Sequence, residues 1–214
     1  MMKRFRIFSL GIFLCAGSTT GAPQTPAPPA SMQSAYGEKF HIEGVPNAGK
    51  INSHLYRGAQ PKLEAFAELK KLGVTTVVNL RSEDQPAVAA ERAQVEAQGL
   101  RFVNIPIGGF SPPSNQQIIQ FLAIFRDHPE ETVFVHCHYG EDRTGVFVAS
   151  YRMSVEHWPA EQAENEMMFF GFNRHWQHAM RDFVRDYPGR LSSAPELADF
   201  QKTLTSASPL PVAH

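Results

Sequence analysis

Two short runs narrow the folds open to this chain. Val74 to Leu80 (VTTVVNL) and Thr132 to His136 (TVFVH) are rich in β-branched residues and lack a polar alternation. Such runs are strands buried on both faces, as in parallel sheets covered by helices. Helical patterns lie between and after them. Leu63, Phe66, Leu69 and Leu72 recur at helical spacing before Gly73, and Pro86 to Gln98 forms a second helical stretch ending at Gly99. Ser114 opens a third through His128, with Ile118, Phe121, Leu122 and Phe125 on one face. His54 to Arg57 and Leu100 to Ile107 complete the strands, the latter broken by Pro106; Thr144 to His157, Ala160 to Phe170 and Trp176 to Tyr187 complete the helices. The alternation predicts an α/β fold, a largely parallel central sheet flanked by helices. Its ligand site is expected beyond the carboxyl ends of the strands.

The ends of the chain read differently. Lys3, Arg4 and Arg6 precede an apolar run, Ile7 to Ala16, and a small polar stretch to Ala22. That order predicts a signal peptide over 1–22 and export to a bacterial periplasm or the medium. Lipidation at Cys15 is the alternative, disfavoured by Leu14 before it, and a membrane is expected as a partner only in that case. Residues 23–39, rich in Pro and Ala, predict a disordered linker. The folded domain is expected over 40–188, and 189–214 as a tail with a short helix near Glu196 to Leu204.

Composition closes off several classes. A chain of 214 residues suits one domain, and 20 basic against 21 acidic residues give no excess to draw nucleic acid. Removing residues 1–22 takes three basic residues and no acidic one, leaving 17 against 21, a net charge of −4. It also takes one of the two cysteines, so the exported protein would hold Cys137 alone and no internal disulfide.

Cys137 sits in His136-Cys137-His138-Tyr139-Gly140-Glu141-Asp142-Arg143-Thr144, a turn between the Thr132–His136 strand and a helix start. A loop closing there turns successive backbone N–H groups inward and makes a concave anion site from His138, Tyr139, Gly140, Glu141, Asp142 and Arg143. Gly140 permits the curvature, and Arg143 can grip two phosphate oxygens. The N–H groups, the helix dipole and Arg143 favour the Cys137 thiolate, which makes it a nucleophile. Thr144 can offer a hydroxyl to the sulfur, and His136 orders the loop. His136 and His138 straddle the cysteine, but no second cysteine or acidic cluster accompanies them, so no metal and no cofactor are expected.

This loop resembles the His-Cys-x5-Arg-(Ser/Thr) signature of cysteine-dependent protein tyrosine and dual-specificity phosphatases. Leu55-Tyr56-Arg57-Gly58-Ala59-Gln60-Pro61, Val78-Asn79-Leu80-Arg81 and Tyr151-Arg152 are similar to small bacterial members, including phosphatase domains joined to NAD kinases. The resemblance covers roughly residues 45 to 185. It implies a phosphoric monoester hydrolase in which Cys137 attacks phosphorus and water releases phosphate.

One departure stands out. The resemblance implies an acid on a loop before the cysteine, near Pro106 to Asn115, yet Ala97 through Arg126 contains no Asp, Glu or His. Asp142 is the nearest replacement, as in certain similar secreted bacterial phosphatases, with Glu141 as the weaker candidate. Arg57 and Arg81 are read either as substrate contacts or as ordinary ion pairs, and Phe169, Phe170, Phe172 and Trp176 as core or pocket wall. The loop brings two acids and no lysine, which favours a phosphotyrosine-bearing protein or another monophosphoester over a polyanion. A lipid or small-molecule phosphate, a catalytically weak phosphate-binding module and a sulfurtransferase are the competing readings. Oligomeric state is not legible.

Overall fold

In the computed structural model, which describes residues 36–206, a six-stranded sheet runs β1-β2-β3-β6-β4-β5. Its strands are β1 (Glu38–Lys39), β2 (Gly49–Lys50), β3 (Leu55–Gly58), β4 (Thr76–Arg81), β5 (Arg101–Ile107) and β6 (Val133–His136). β3, β6, β4 and β5 are mutually parallel, and β1 and β2 extend the β3 edge antiparallel. The helices are α1 (Ala65–Lys71), α2 (Gln85–Ala97), α3 (Asn115–Asp127), α4 (Asp142–Val155), α5 (Ala160–Phe169), α6 (His178–Ser193) and α7 (Pro195–Ser206).

The β-branched runs form strands because both faces of the sheet are covered. Along β6, Val133 and Val135 join the core that packs α3 to α7, while Phe134 joins the opposite core with α1 and α2 residues such as Phe66 and Val95. The Phe121 ring meets Phe125 and Phe147 edge-on at 5.3 and 5.4 Å. Each such fully buried aromatic contributes roughly 1.5–3 kcal/mol. Helix α3 begins where its sequence said: Ser114 accepts from the Gln117 N–H, and the Gln117 side chain returns to the Ser114 N–H, a capping box.

Helix α4 is the element that positions the site. Every residue from Arg143 to Ser154 is buried, so the helix is enclosed on all sides. Its N-terminus meets the carboxyl end of β6, a central strand flanked by β3 and β4. β6 lies between β3 and β4, parallel to both, and β5 runs parallel beside β4. The loops that follow β3, β4 and β5 therefore converge on the turn after β6.

Four expectations are corrected. Pro106 does not break β5: the strand is at the sheet edge, where a missing N–H costs no ladder bond. Tyr36 to Lys39, assigned to the linker, belong to the fold; Gly37 N–H donates to Glu166 Oε1 at 2.7 Å and β1 pairs with β2. Pro188 does not end the domain either. Helix α6 continues through it to Ser193, held by buried Tyr187, whose hydroxyl bonds Ser154 Oγ at 2.9 Å. The tail is part of the core, because Leu197 and Phe200 of α7 are buried in the α3–α6 cluster. The segment 1–22 expected as a signal peptide, residues 23–35 of the expected linker and residues 207–214 lie outside the described residues.

Candidate active site

Cys137 follows β6 directly and is 3% exposed, at the floor of the loop that ends in α4. The geometry of this loop is set by what holds its carbonyl groups. Gln60 N–H donates to His138 O at 3.1 Å. Asn47 Nδ2 donates to Gly140 O at 3.2 Å and to Tyr139 O at 3.4 Å, and Arg57 Nη2 donates to Gly140 O at 2.6 Å. In a trans peptide the N–H points opposite the C=O. Carbonyls drawn outward by Gln60, Asn47 and Arg57 therefore turn the N–H groups of Tyr139, Gly140 and Glu141 inward. Among the described residues, none of the N–H groups from His138 to Arg143 donates to another protein group. Unpaired donors along the loop from Cys137 to the start of a buried helix, three of them turned inward, make an anion cradle.

Gly140 is the residue this shape requires. Its φ is +68°, and a Cβ there would overlap the backbone of Gly58 and Ala59.

Arg143 is buried, and it is already oriented. Its Nη1 and Nη2 donate to Glu83 Oε2 and Oε1 at 2.8 and 3.1 Å, a bidentate pair, and Nη1 reaches Ile107 O at 3.4 Å. Burial pushes the guanidinium pKa down, but the Glu83 bonds and the Cys137 charge outweigh it, and the net shift is upward. Glu83, on the turn after β4, also accepts from Arg81 Nε at 3.0 Å. The Arg143 hydrogen bond, then a backbone hydrogen bond and Arg81, hold its carboxyl at about 2, below the usual 4.5, against the opposing effect of burial. A depressed carboxylate stabilises the fold fully above its unfolded value and loses that effect as pH falls through its folded one. Wild-type protein is therefore expected to lose stability more steeply than Glu83→Gln between pH 4.5 and 2, in thermal melts. The effect is moderated because Glu83 is half exposed. Parallel curves would show that the pair carries no linkage.

His136 is fully buried and fixed on both sides. Its Nε2 lies 2.7 Å from Glu91 Oε1, and its Nδ1 lies 3.3 Å from Cys137 O. Glu91 also accepts from Gln60 Nε2 and Asn79 Nδ2 at 2.7 and 2.8 Å. Burial pushes the Glu91 carboxyl up, but its bonds to His136, Gln60 and Asn79 prevail and hold it below the usual range. One carboxylate on α2 thus ties β4, β6 and the turn after β3 beneath the loop. Thr144 is buried with its Oγ1 unpartnered, a free hydroxyl one residue beyond Arg143.

Asp142, the first residue of α4, accepts from Asn173 N–H at 3.0 Å and from Gln177 Nε2 at 3.1 Å. Gln177 also donates to Gly109 O at 3.0 Å, so it spans the β5–α3 and α5–α6 loops. Glu141 is partly buried against Gly171. Burial, then the neighbouring Asp142 charge, raises its pKa, while Lys39 and Arg57 oppose the shift. The side chains of His138 and Tyr139 are exposed, so these two residues serve the cradle through their backbone. Phe110, Tyr139 and Trp176 stand exposed on the β5–α3, cradle and α5–α6 loops.

The other residues singled out by sequence fall into place. Arg57 is wholly buried behind the loop, where it holds Gly140 O; Arg81 pairs with Glu83 and donates to Gln60 Oε1 at 2.7 Å. Phe170 and Phe172 are core, whereas Phe169 and Trp176 are exposed. Glu83, Glu91, Asn47 and Gln177 were not anticipated. Only Glu91 left a readable trace, an acid within the apolar stripe Val88-Glu91-Val95 of α2. Among the described residues no group of three His, Cys, Asp or Glu is arranged to hold a metal ion.

The family model described as DSP-PTPase phosphatase fused to NAD+ kinase matches residues 41–186. The chain belongs to this family. Among curated relatives of this phosphatase, the dual specificity protein phosphatase TpbA of Pseudomonas aeruginosa is 29% identical over 167 residues, covering 76% of this chain and 69% of the relative. The crystal structure of a TpbA variant in complex with pTyr superposes with a TM-score of 0.61 at 27% identity, covering 75% of this chain and 97% of that one. The catalytic domain of the PP-IP phosphatase SIW14 from S. cerevisiae, at 20% identity, TM-score 0.56, and coverage of 72% and 96%, shares the fold. The protein is a cysteine-dependent phosphatase of the dual-specificity and protein tyrosine type.

Proposed function

We propose that this phosphatase is exported and hydrolyses phosphotyrosine or a related aryl monophosphate through a cysteinyl-phosphate, with Asp142 as its acid. The observation that carries the reading is the cradle of unpaired N–H groups over Cys137, closed on one side by an oriented Arg143. The Cys137 sulfur attacks phosphorus, the bond to the leaving oxygen breaks, and Asp142 gives that oxygen its proton. Water then attacks phosphorus, its proton returns to Asp142, and the S–P bond breaks to give phosphate and the thiolate. The cradle N–H groups and Arg143 hold the three remaining oxygens throughout.

Three observations support an aromatic monoester. The loop holds no lysine for further phosphates. The exposed rings of Phe110, Tyr139 and Trp176 stand on loops at the carboxyl end of the sheet. The TpbA relative is described in complex with pTyr. The place of Asp142 supports its role: it stands one residue before Arg143 at the start of α4, its carboxylate held by Asn173 N–H and Gln177 Nε2. Export rests on the basic, apolar and small-residue order of residues 1–22, and amino-terminal sequencing of periplasmic protein tests it.

A second acid is favoured by one observation, the raised pKa of Glu141. Leaving-group dependence separates the two. Asp142→Asn is expected to lower kcat on a phosphotyrosine peptide by roughly 100-fold and much less on p-nitrophenyl phosphate, whose leaving group needs little protonation. Full activity of Asp142→Asn on the peptide, with the loss transferred to Glu141→Gln, would reassign the role.

A further inference from the structure

Among the described residues, Arg57 carries a charge without an ion-pair partner. It lies on β3 with 0% exposure, its guanidinium 4.1 Å from the centre of the Phe170 ring. Gly49 makes room for that stacking, since a Cβ there would overlap the Phe170 ring. Nη2 is bonded to Gly140 O, while Nε and Nη1 have no hydrogen-bond partner among the described residues. No described carboxylate lies within ion-pair distance of it.

The contrast with the other buried arginines is informative. Arg143 has Glu83, and Arg152 has both Glu156 and Glu166. Glu166, the carboxylate with most influence on Arg57, is thus already engaged by Arg152 and by the Gly37 N–H. Burial of an unpaired cation is costly unless an anion offsets it. Burial lowers the Arg57 pKa to about 10, with Glu166, Cys137 and Glu141 acting in the other direction, so it remains charged at neutral pH. What lies on the far side of the Gly140 peptide is the cradle.

We propose that Arg57 is a positioning residue of the phosphate site, fixing the Gly140 carbonyl away from the cradle and leaving its unneutralised charge beneath a bound phosphoryl group. This rests on the loop being an anion site, as the proposed function requires, but its test needs no turnover. The loop backbone separates Arg57 from the substrate, so it acts through the Gly140–Glu141 peptide and through the field.

The test is the ratio of Cys137 alkylation rates by iodoacetate and by iodoacetamide. The thiolate fraction cancels in the ratio, which reports the positive charge felt by an anionic reagent. Arg57→Met keeps bulk and removes charge; its ratio is expected to fall about tenfold, with protection by inorganic phosphate weakened to a similar degree. Arg57→Lys, which restores charge, is expected to stay within about threefold of wild type. A folded Arg57→Met with an unchanged ratio would make Arg57 a packing residue and overturn the proposal. Should Arg57→Met not fold, Arg57→Lys decides: a ratio equal to that of a free small-molecule thiol overturns it. Absence of turnover in the wild type would count against the phosphatase mechanism and leave these outcomes unaffected.

Discussion

Cys137→Ser is expected to lower turnover of p-nitrophenyl phosphate by at least ~10⁴-fold while inorganic phosphate still binds within a few-fold of wild type. The substitution changes one atom at the floor of the cradle. It leaves the outward ties of the loop carbonyls, the Arg143–Glu83 pair and the N-terminus of α4 as they were. The anion site therefore survives, and what is lost is the sulfur nucleophile. Steady-state rates and calorimetric phosphate titration of both proteins measure the two halves separately. A wild-type rate no higher than that of the serine variant would leave a phosphate-binding module in place of an enzyme. Loss of phosphate binding in the variant would mean that the sulfur, and not the backbone, organises the site.

Gly140→Ala is expected to cost several kcal/mol of stability and roughly 10³-fold in activity. Two independent effects act at this one position. The φ of +68° is strained for any L side chain, and a Cβ would overlap the Gly58 and Ala59 backbone, which cannot swing aside as a flexible side chain would. Relief requires the loop to lift from the end of β3. That movement breaks the Arg57 and Asn47 bonds to Gly140 O and turns the Glu141 N–H out of the cradle. Thermal melts and kcat/KM would both register the change. A variant with wild-type melting and reduced activity would place the effect in the cradle alone, and one normal in both would refute the geometric reading of the loop.

The sequence made some of this legible because it is local. The catalytic loop is contiguous, and its strand and helix flanks carry clear patterns of their own. The capping box at Ser114 and the β-branched runs are likewise decided by neighbours in the chain. What the sequence does not display depends on partners far apart. Glu83 lies 60 residues before Arg143, and Asn47 lies 93 before Gly140. Nothing near either residue announces the pairing. The misjudged prolines show the opposite failure, in which a sound local rule yields to context. Pro106 sits where no ladder partner exists, and Pro188 is carried by the burial of Tyr187 beside it and of Leu197 and Phe200 beyond. The two-residue strands β1 and β2 are too short to show any period.

The Glu83–Arg143 pair bears on the end of the catalytic cycle as well as its start. A buried guanidinium that met phosphate alone would be left unpaired each time product departed, and the free energy of leaving it so would hold the product back. With Glu83 in place, Arg143 keeps a bidentate partner when the anion leaves. The site is built to let go.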